Sequence, residues 1–370
     1  MWKWTRTAIL RQSRYMSNKK TDLWQRLRAA DKPIIMYGMG DGAEKIMKVF
    51  SRLGITPSQF MASDEFVRGH SFLGYKVKKL SEIEALYKDF IIIVCFGSSL
   101  PEVTERLYRL SERYELYAPD VPVVGEGLFD EGYIKENAEK IGSVREILAD
   151  EKSKRVFDDI ISYKLTGEIK YLKSCQTHQE EAFSLLNIGS EEVYVDLGAY
   201  NGDTVEKFLE LAKGSFREIF AMEPDPRNFK KLLNRHAGLS AEKFHPVNAA
   251  AWSEDAELQF KKSGGRNSSV CNPYGRGATA AVKGKAVDSL TAGTIPTIIK
   301  FDVEGCEKEA VEGAKNTIQN HKPRLILSLY HRTEDLLELP LRIKELNCEY
   351  KLYLRHHPYI PAWDTNLYCI

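Results

Sequence analysis

Short apolar segments that end in glycine or in an acidic residue recur along the second half of the chain. Residues 193–204 (VYVDLGAYNGDT) pass from an apolar strand through two glycines into a segment of helical character. This strand, turn and helix unit is typical of nucleotide-type α/β domains, which bind ligands at the carboxyl ends of their strands. Gly198 and Gly202 permit a tight turn and close backbone approach, and Asp196 places a carboxylate at the strand end.

A second apolar strand, residues 219–222, ends in Glu223, a position from which a carboxylate can accept hydrogen bonds from both hydroxyls of a ribose. The glycine spacing is D-x-G-x-x-x-G and not the dinucleotide pattern G-x-G-x-x-G, and Asp203 at the helix entrance would repel a pyrophosphate. The pattern therefore favours a cofactor with a ribose and a cationic amino-acid tail, such as S-adenosylmethionine. The alternative is a glycine-rich turn that binds nothing.

Two further apolar segments, residues 297–301 and 324–327, follow the same plan. The first runs into Asp302, and the second is followed closely by His331. The carboxyl ends of parallel strands meet at one edge of a sheet. Four ionisable side chains should therefore converge there: Asp196, Glu223, Asp302 and His331.

Together these segments resemble the FkbM-type S-adenosylmethionine-dependent methyltransferases over roughly residues 175–370. The resemblance rests on VDLGAYNGDT, AMEPDP, VNAAAWS, AVDSL, IKFDVEGCEKEAVEGA, SLYHRTEDLLELP and a terminal LYCI strand. It implies an α/β fold with a seven-stranded class I methyltransferase sheet at residues 186–370. It also implies methyl transfer to an oxygen, usually a hydroxyl of a saccharide, nucleotide-sugar or secondary metabolite, without identifying the small-molecule or glycan acceptor.

The same resemblance implies roles for individual residues. Glu223 would hold the ribose, and Asp302 would lie beside the methionine or acceptor end of the site. Glu304 and His331 also fall at positions that recur in the family. The implied cofactor-binding residues are Asp196, Gly198, Tyr200, Gly202, Asp203, Glu223 and Asp302.

Methyl transfer to a hydroxyl requires alignment of the reactants and removal of a proton. His331 is the leading candidate for the base, because an unperturbed imidazole has a pKa of ~6.5, and Asp302 is the second. A divalent cation held by Asp302, Glu304 or His331 would instead lower the pKa of the hydroxyl directly. We do not favour a metal, since Glu304 can equally stabilise the first turn of its helix.

Residues 21–125 predict another Rossmann-like domain. A strand at residues 34–37 is followed by Gly38, Gly40 and Ala43, which fit the dinucleotide fingerprint with alanine at its third place, and Asp64 could meet a ribose. Only one half of a dinucleotide fold is evident. A bound nucleotide or nucleotide-sugar, a scaffold role and a role in a homodimer are all open at this point.

Residues 126–185 predict a helical connector, interrupted at Gly142 with Ser143 as the cap of the next helix. Residues 1–20 predict a flexible or misannotated N-terminal segment, since the first 15 residues are basic and an organelle presequence and an initiator at Met16 are both alternatives. The glycine- and serine-rich residues 261–277 predict a long loop, with a substrate lid as one interpretation.

Composition agrees with two domains, because 370 residues exceed the usual length of one. A formal net charge of +1 gives no reason to expect nucleic acid as a partner. The longest apolar run, residues 90–96, is far shorter than the ~20 residues that span a bilayer, so it predicts a buried strand and no membrane span. Six cysteines without a C-x-x-C pair favour buried thiols and a reducing, cytoplasmic location.

Three classes of function remain open. The first and favoured class is an S-adenosylmethionine-dependent O-methyltransferase. The second is an NAD(P)-dependent oxidoreductase that uses the glycine turn at Gly38. The third is a non-catalytic nucleotide-binding protein, which the presence of Asp196, Gly198, Gly202 and Glu223 disfavours.

Overall fold

The computed structural model describes residues 21–261, 279–291 and 293–370. The predicted N-terminal segment, residues 1–20, and almost all of the predicted loop at 261–277 lie outside these residues. Within them the chain forms two α/β units with a run of helices between them. The predicted fold class is confirmed.

The first unit contains a parallel sheet of four strands, a two-stranded hairpin and four helices. Its strands are β1 Ile34–Tyr37, β2 Gln59–Met61, β3 Ser71–Phe72, β4 Tyr75–Lys76, β5 Ile91–Val94 and β6 Glu115–Tyr117. Its helices are α1 Leu23–Arg28, α2 Asp41–Leu53, α3 Leu80–Leu86 and α4 Pro101–Arg113. The sheet order is β2-β1-β5-β6, and β3 pairs with β4 as a hairpin. Every residue of β1 and β5 is buried, as expected for central parallel strands.

Five helices follow before the second unit. They are α5 Glu131–Glu136, α6 Ala138–Ile147, α7 Glu151–Thr166, α8 Lys170–Ser174 and α9 Gln179–Ser184. The predicted interruption at Gly142 is wrong, because α6 runs through it. Ser143 lies inside this helix and donates a hydrogen bond from its hydroxyl to the Glu139 carbonyl at 2.9 Å, so it satisfies its own side chain without ending the helix.

The second unit contains the predicted seven-stranded sheet. The strands from here to the C-terminus are β7 Val193–Leu197, β8 Glu218–Met222, β9 Phe244–Val247, β10 Ala250–Ala251, β11 Ala256–Lys261, β12 Thr279–Lys285, β13 Ile298–Phe301, β14 Arg324–Ser328, β15 Leu352–His356 and β16 Thr365–Cys369. The helices are α10 Asp203–Leu211, α11 Pro226–Arg235, α12 Val287–Leu290, α13 Glu307–Glu312, α14 Lys315–His321 and α15 Asp335–Leu346. A smaller sheet has the order β10-β12-β11.

The order of the large sheet is β15-β16-β14-β13-β7-β8-β9. Strand β16 runs antiparallel to both of its neighbours, whereas β14, β13, β7, β8 and β9 are mutually parallel. Strands β8 and β9 are added to one side of β7, and β13 and β14 to its other side. The strand order therefore reverses between the neighbouring strands β7 and β13. Open α/β sheets bind ligands in the crevice at such a reversal point.

One apolar core extends through both units. Helix α7 supplies Phe157 and Ile160, both fully buried, to a cluster that also contains Ile92 of β5 and Leu352 of β15. The two sheets are therefore packed through the connector. A direct contact supplements it, because Ser98 forms an antiparallel bridge with Ile360.

The apolar run at residues 90–96 contains the buried strand β5, as expected. Among the described residues no helix is both long and apolar enough to cross a membrane. Cys95, Cys175 and Cys369 are buried free thiols, whereas Cys348 is exposed. Cys306 departs from the expectation of free thiols, since it is disulfide-bonded.

We expect the connector to be held by a buried ion pair. Lys164 of α7 lies 2.8 Å from Asp120, and both side chains are almost fully buried. Asp120→Ala should destabilise the protein by roughly 3–5 kcal/mol, because it leaves a buried ammonium without a partner. Adding Lys164→Met should restore most of the loss, as measured by the urea midpoint. A single and a double variant with equal midpoints would contradict this role.

Candidate active site

The turn after β7 has a backbone that only glycine accommodates easily. Gly198 has a φ of +81° and Gly202 a φ of +87°, both in the left-handed region. A Cβ atom on Gly198 would clash with the carbonyl oxygen of Asp302, so the turn is packed directly against the end of β13. Tyr200, between the glycines, also has a positive φ of +47°. The predicted tight turn is present, and its close backbone contact is with Asp302.

Glu223 lies at the end of β8 and is tied to that turn. Its Oε2 accepts a hydrogen bond from the backbone N–H of Tyr200 at 2.9 Å, and its Oε1 accepts one from Asp225 at 2.8 Å. Burial raises the pKa of Glu223 to about 7, because desolvation of the carboxylate outweighs the two backbone hydrogen bonds. The carboxyl group is thus fixed in position and titrates close to neutral pH.

Lys300 is the charged centre of the site. It pairs with Asp196 across β13 and β7, and its Nζ lies 3.4 Å from Asp196 Oδ1 and 3.3 Å from Asp302 Oδ2. Burial opposes its charged form, but the two carboxylates outweigh burial and raise the pKa of Lys300 above its ordinary value. Lys300 is not among the site residues predicted from the sequence. A lysine inside the otherwise apolar strand IIKF could have indicated it.

The two carboxyl groups beside Lys300 respond differently. Asp196 is fully buried, accepts a hydrogen bond from the Thr204 hydroxyl, and has its pKa raised by desolvation despite Lys300. The pKa of Asp302 falls to about 2, since Lys300 and then His331 outweigh the effect of burial. Asp302 Oδ1 also accepts a hydrogen bond from the Tyr330 hydroxyl at 3.1 Å. Asp302 therefore remains a carboxylate at neutral pH.

His331 lies behind the carboxylates and is 1% exposed. Its Nδ1 is 2.8 Å from Glu307 Oε1, and its Nε2 is 3.6 Å from both Asp302 Oδ1 and Glu304 Oε2. Burial would lower the pKa of His331, but these three carboxylates reverse the effect and raise it to about 10. At neutral pH the imidazole is a cation. This environment does not fit the expectation of a neutral imidazole acting as a base.

The same cluster contains a set of donors suited to a divalent cation. Ligand atoms of Asp302, Glu307 and His331 all lie within 4.8 Å of one another. Asp302 and His331 were among the residues suggested for a metal by the sequence, whereas Glu307 was not. The ammonium of Lys300 and the imidazolium of His331 supply positive charge that balances these carboxylates.

A cavity of about 510 Å³ opens at the carboxyl edge of the large sheet. The predicted site residues that line it are Gly198, Tyr200, Asp203, Glu223 and Asp302. Asp196, Gly202 and His331 support these residues from behind the lining. Gly202 packs against His236, whose Nε2 lies 2.8 Å from the Gly202 carbonyl oxygen.

The far end of the cavity contains side chains that the sequence analysis did not select. They are Ser99 of the first unit, Ser328, Tyr330, Tyr359, Trp363, Asp364 and Asn366. Their positions depend on how β15 and β16 pair and on the contact with the first unit, neither of which a local pattern reveals. The cavity thus combines a glycine-turn end with an aromatic end.

The first glycine turn has a different environment. A Cβ atom on Gly42 would clash with the Cys95 carbonyl oxygen, and one on Gly38 would lie 2.6 Å from the Phe96 ring. Gly42 therefore allows α2 to pack closely against the end of β5. Neither the large cavity nor a smaller one of about 200 Å³ near Asp288 is lined by this turn.

Comparison with known proteins agrees with the geometry of the second unit. Residues 196–352 match the family model of the methyltransferase FkbM domain. This part of the second unit is thus similar to an FkbM-type methyltransferase domain. The structure also resembles that of a methyltransferase FkbM from Methylobacillus flagellatus KT over 98% of both chains, with a TM-score of 0.74 and 20% sequence identity. The resemblance to an FkbM methyltransferase proposed from the sequence is therefore confirmed, and the shared fold includes the first unit.

Other solved structures are more distant. The fibrillarin of Aeropyrum pernix with bound S-adenosyl-L-methionine matches 52% of this chain and 74% of its own, at 12% identity and a TM-score of 0.32. A precorrin-6y C5,15-methyltransferase from Geobacter metallireducens GS-15 matches 52% of this chain and 86% of its own, at 13% identity and a TM-score of 0.33. These matches carry no functional argument. No curated protein matches the chain significantly.

Replacing Lys300 should lower the stability of the fold, because the carboxylates around it lose their counter-ion. We expect Lys300→Met to lower the thermal midpoint at pH 8, because Asp196 loses its buried counter-ion. Without the ammonium the folded-state pKa values of these carboxyls lie above their unfolded values, so protonation stabilises the fold as pH falls. The deficit relative to wild type should therefore shrink between pH 8 and pH 5. Lys207→Met, at a half-buried lysine of the same cavity, is the control. A deficit independent of pH would contradict the assignment.

Proposed function

We propose that the protein is an S-adenosylmethionine-dependent O-methyltransferase that acts on a hydroxyl of a saccharide or related small molecule. The observation that supports it best is the buried Glu223 carboxylate, hydrogen-bonded to Tyr200 beside the glycine turn and facing the cavity. A carboxylate in this position can accept hydrogen bonds from both hydroxyls of a ribose. The methyltransferase domain supplies the reaction class.

The charge of the cavity fits that cofactor. The acidic residues that line it are Asp203, Glu223, Asp302, Glu304 and Asp364. Among the described residues Lys207 and Lys300 are the lysines of the lining, and Lys300 is engaged by Asp196 and Asp302. A site with excess negative charge favours a cationic ligand. When bound, S-adenosylmethionine supplies an electrophilic methyl group on a positively charged sulfur.

The acceptor hydroxyl requires a group that orients it and receives its proton. Asp302 is the best placed carboxylate, because it lines the cavity and stays ionised at neutral pH. Tyr330 and Lys300 fix its two oxygens by contacts of 3.1 and 3.3 Å. Asp302 would accept the hydrogen bond of the acceptor hydroxyl and hold its proton as the oxygen attacks.

His331 then acts through Asp302. Its imidazolium lies 3.6 Å from Asp302 Oδ1, beyond hydrogen-bonding distance, and stabilises the carboxylate by charge. We propose His331 as a positioning residue that keeps Asp302 ionised and holds Asp302 and Glu304 in position. This role replaces that of a neutral base, which the geometry of its three carboxylate neighbours disfavours.

Cofactor affinity should depend on the protonation of Glu223. Because its pKa is about 7, we expect the affinity for S-adenosylhomocysteine to fall about tenfold between pH 8 and pH 6, as the carboxylate that accepts the ribose hydroxyls is lost. Isothermal titration calorimetry at several pH values measures this directly. Glu223→Gln should bind weakly with no such dependence.

A parallel titration with NAD⁺ and NADP⁺ tests the alternative classes. The proposal expects no binding of either dinucleotide at concentrations that saturate the protein with S-adenosylhomocysteine. Tight dinucleotide binding together with unchanged S-adenosylhomocysteine affinity in Glu223→Gln would contradict the proposed function.

The two candidate catalytic positions should be separable by pH. Asp302→Asn should lower kcat by ~10²-fold or more, since the group that accepts the proton is lost. His331→Ala should raise the pKa of Asp302, because one of the cations that lowers it is removed. The acidic limb of its kcat profile should therefore move to higher pH. Methyl transfer from labelled S-adenosylmethionine to a glycoside that the wild type accepts measures both. A single ionisation near pH 6.5 that disappears in His331→Ala would instead support the neutral base.

A further inference from the structure

The aromatic end of the cavity is built from two distant parts of the chain. One part is the loop between β15 and β16, which supplies Tyr359 and Trp363. Their ring centroids lie 6.2 Å apart, and the ring planes are inclined by 41°. The other part is the turn after β5 in the first unit, which supplies Ser99. The strand order β15-β16-β14-β13-β7-β8-β9 places this loop on the side of the sheet away from Glu223 and β8.

The first unit sets the position of these rings. Ser98 donates a backbone hydrogen bond to the Ile360 carbonyl at 2.8 Å and accepts one from the Ile360 N–H at 3.0 Å. A Cβ atom on Gly97 would lie 2.8 Å from the Trp363 ring and 2.9 Å from the Tyr359 ring. Contacts below 3.0 Å require something to shift. Only glycine therefore lets the turn and both rings occupy their present positions.

The polar groups at this end suit hydroxyls. Asp364 follows Trp363 in the lining, and its Oδ1 accepts a hydrogen bond from Asn366 at 2.6 Å. Aromatic rings next to carboxylates match a saccharide ring, which presents C–H groups on its faces and hydroxyls at its edge.

The charge of the lining narrows the acceptor further. Asp302, Glu304 and Asp364 contribute carboxylates to the cavity, and Lys300 is engaged by Asp196 and Asp302. A phosphate or sulfate at the aromatic end would be repelled by these carboxylates in a partly desolvated site. Among the described residues no arginine lines the cavity, and arginine is the residue that binds such groups bidentately.

We propose that Tyr359 and Trp363, held in place by Gly97 of the first unit, form the acceptor subsite, and that they take an uncharged saccharide ring rather than a sugar phosphate or nucleotide-sugar. This inference rests on the proposed function and specifies its substrate class. The first unit then serves as a wall of the acceptor site. Its glycine turn at Gly38 takes no part in it.

The test uses a glycan array that presents neutral glycans beside phosphorylated and sulfated ones. Fluorescently labelled full-length protein is applied in the presence of saturating S-adenosylhomocysteine. The wild type should bind neutral glycans, and Trp363→Ala should reduce that signal at least tenfold. Trp363→Phe, which keeps an aromatic face, should retain more binding than Trp363→Ala.

Gly97→Ala separates the role of the first unit from general destabilisation. It should weaken glycan binding at least tenfold while leaving the calorimetric affinity for S-adenosylhomocysteine within about twofold of wild type. The matched control is Gly142→Ala in α6, where an added Cβ meets nothing within 4 Å, and it should change neither quantity. If Gly97→Ala lowers the thermal midpoint strongly, Trp363→Ala and Trp363→Phe carry the test.

Three results would overturn the inference. The first is binding confined to phosphorylated or sulfated glycans, and the second is no glycan binding by a protein that binds S-adenosylhomocysteine normally. The third is glycan binding that Trp363→Ala leaves unchanged. A wild-type protein that does not bind S-adenosylhomocysteine is a different outcome, because it would refute the proposed function and not only the acceptor subsite.

Discussion

The site depends on the ammonium of Lys300, which lies between Asp196 and Asp302 at the reversal point of the sheet. Two carboxylates this close would repel each other strongly in a buried environment, and one would take up a proton. Lys300 instead keeps Asp302 ionised at the edge of the cavity. The same ammonium ties β13 to β7, so the charge that organises the site also fixes the strands from which its residues project.

Further electrostatic control comes from His331 and Glu307 behind the cavity lining. Glu307 at the start of α13 contacts the imidazole through Nδ1, while Nε2 faces Asp302 and Glu304. The buried imidazolium of His331 is thereby surrounded by three carboxylates, and its positive charge stabilises them. Asp302 is thus close to two cations, Lys300 of β13 and His331 of the turn after β14. A carboxylate in this setting is a weak base but a well-oriented hydrogen-bond acceptor, which suits alignment of a hydroxyl for displacement.

Local sequence patterns predicted the features that follow from the backbone. The strand ends at Asp196, Glu223 and Asp302, and the glycines that the turn after β7 requires, are visible in one dimension because strand, turn and helix are adjacent there. The protonation of His331 was not predictable, since it arises from carboxylates brought together by α13 and the turn after β13. The helix interruption expected at Gly142 is absent for a local reason, because a serine hydroxyl can donate a hydrogen bond to a carbonyl of its own helix.

The aromatic end of the cavity could not be predicted for a different reason. Trp363 and Gly97 are far apart in sequence and meet only because the first unit adds a bridge to the loop after β15. The glycine fingerprint at Gly38 does not line the cavity. Gly38 packs against Phe96, whereas Gly97, outside any motif, lies directly against Trp363 and Tyr359 of the cavity wall.

The most direct test of the central claim is a crystal structure of the protein with S-adenosylhomocysteine. The account predicts that both ribose hydroxyls lie within hydrogen-bonding distance of the Glu223 carboxylate, with the sulfur directed toward Asp302. The aromatic end at Trp363 should remain open for the acceptor. A ligand bound at the Gly38 turn, or in the large cavity without contact to Glu223, would contradict the account.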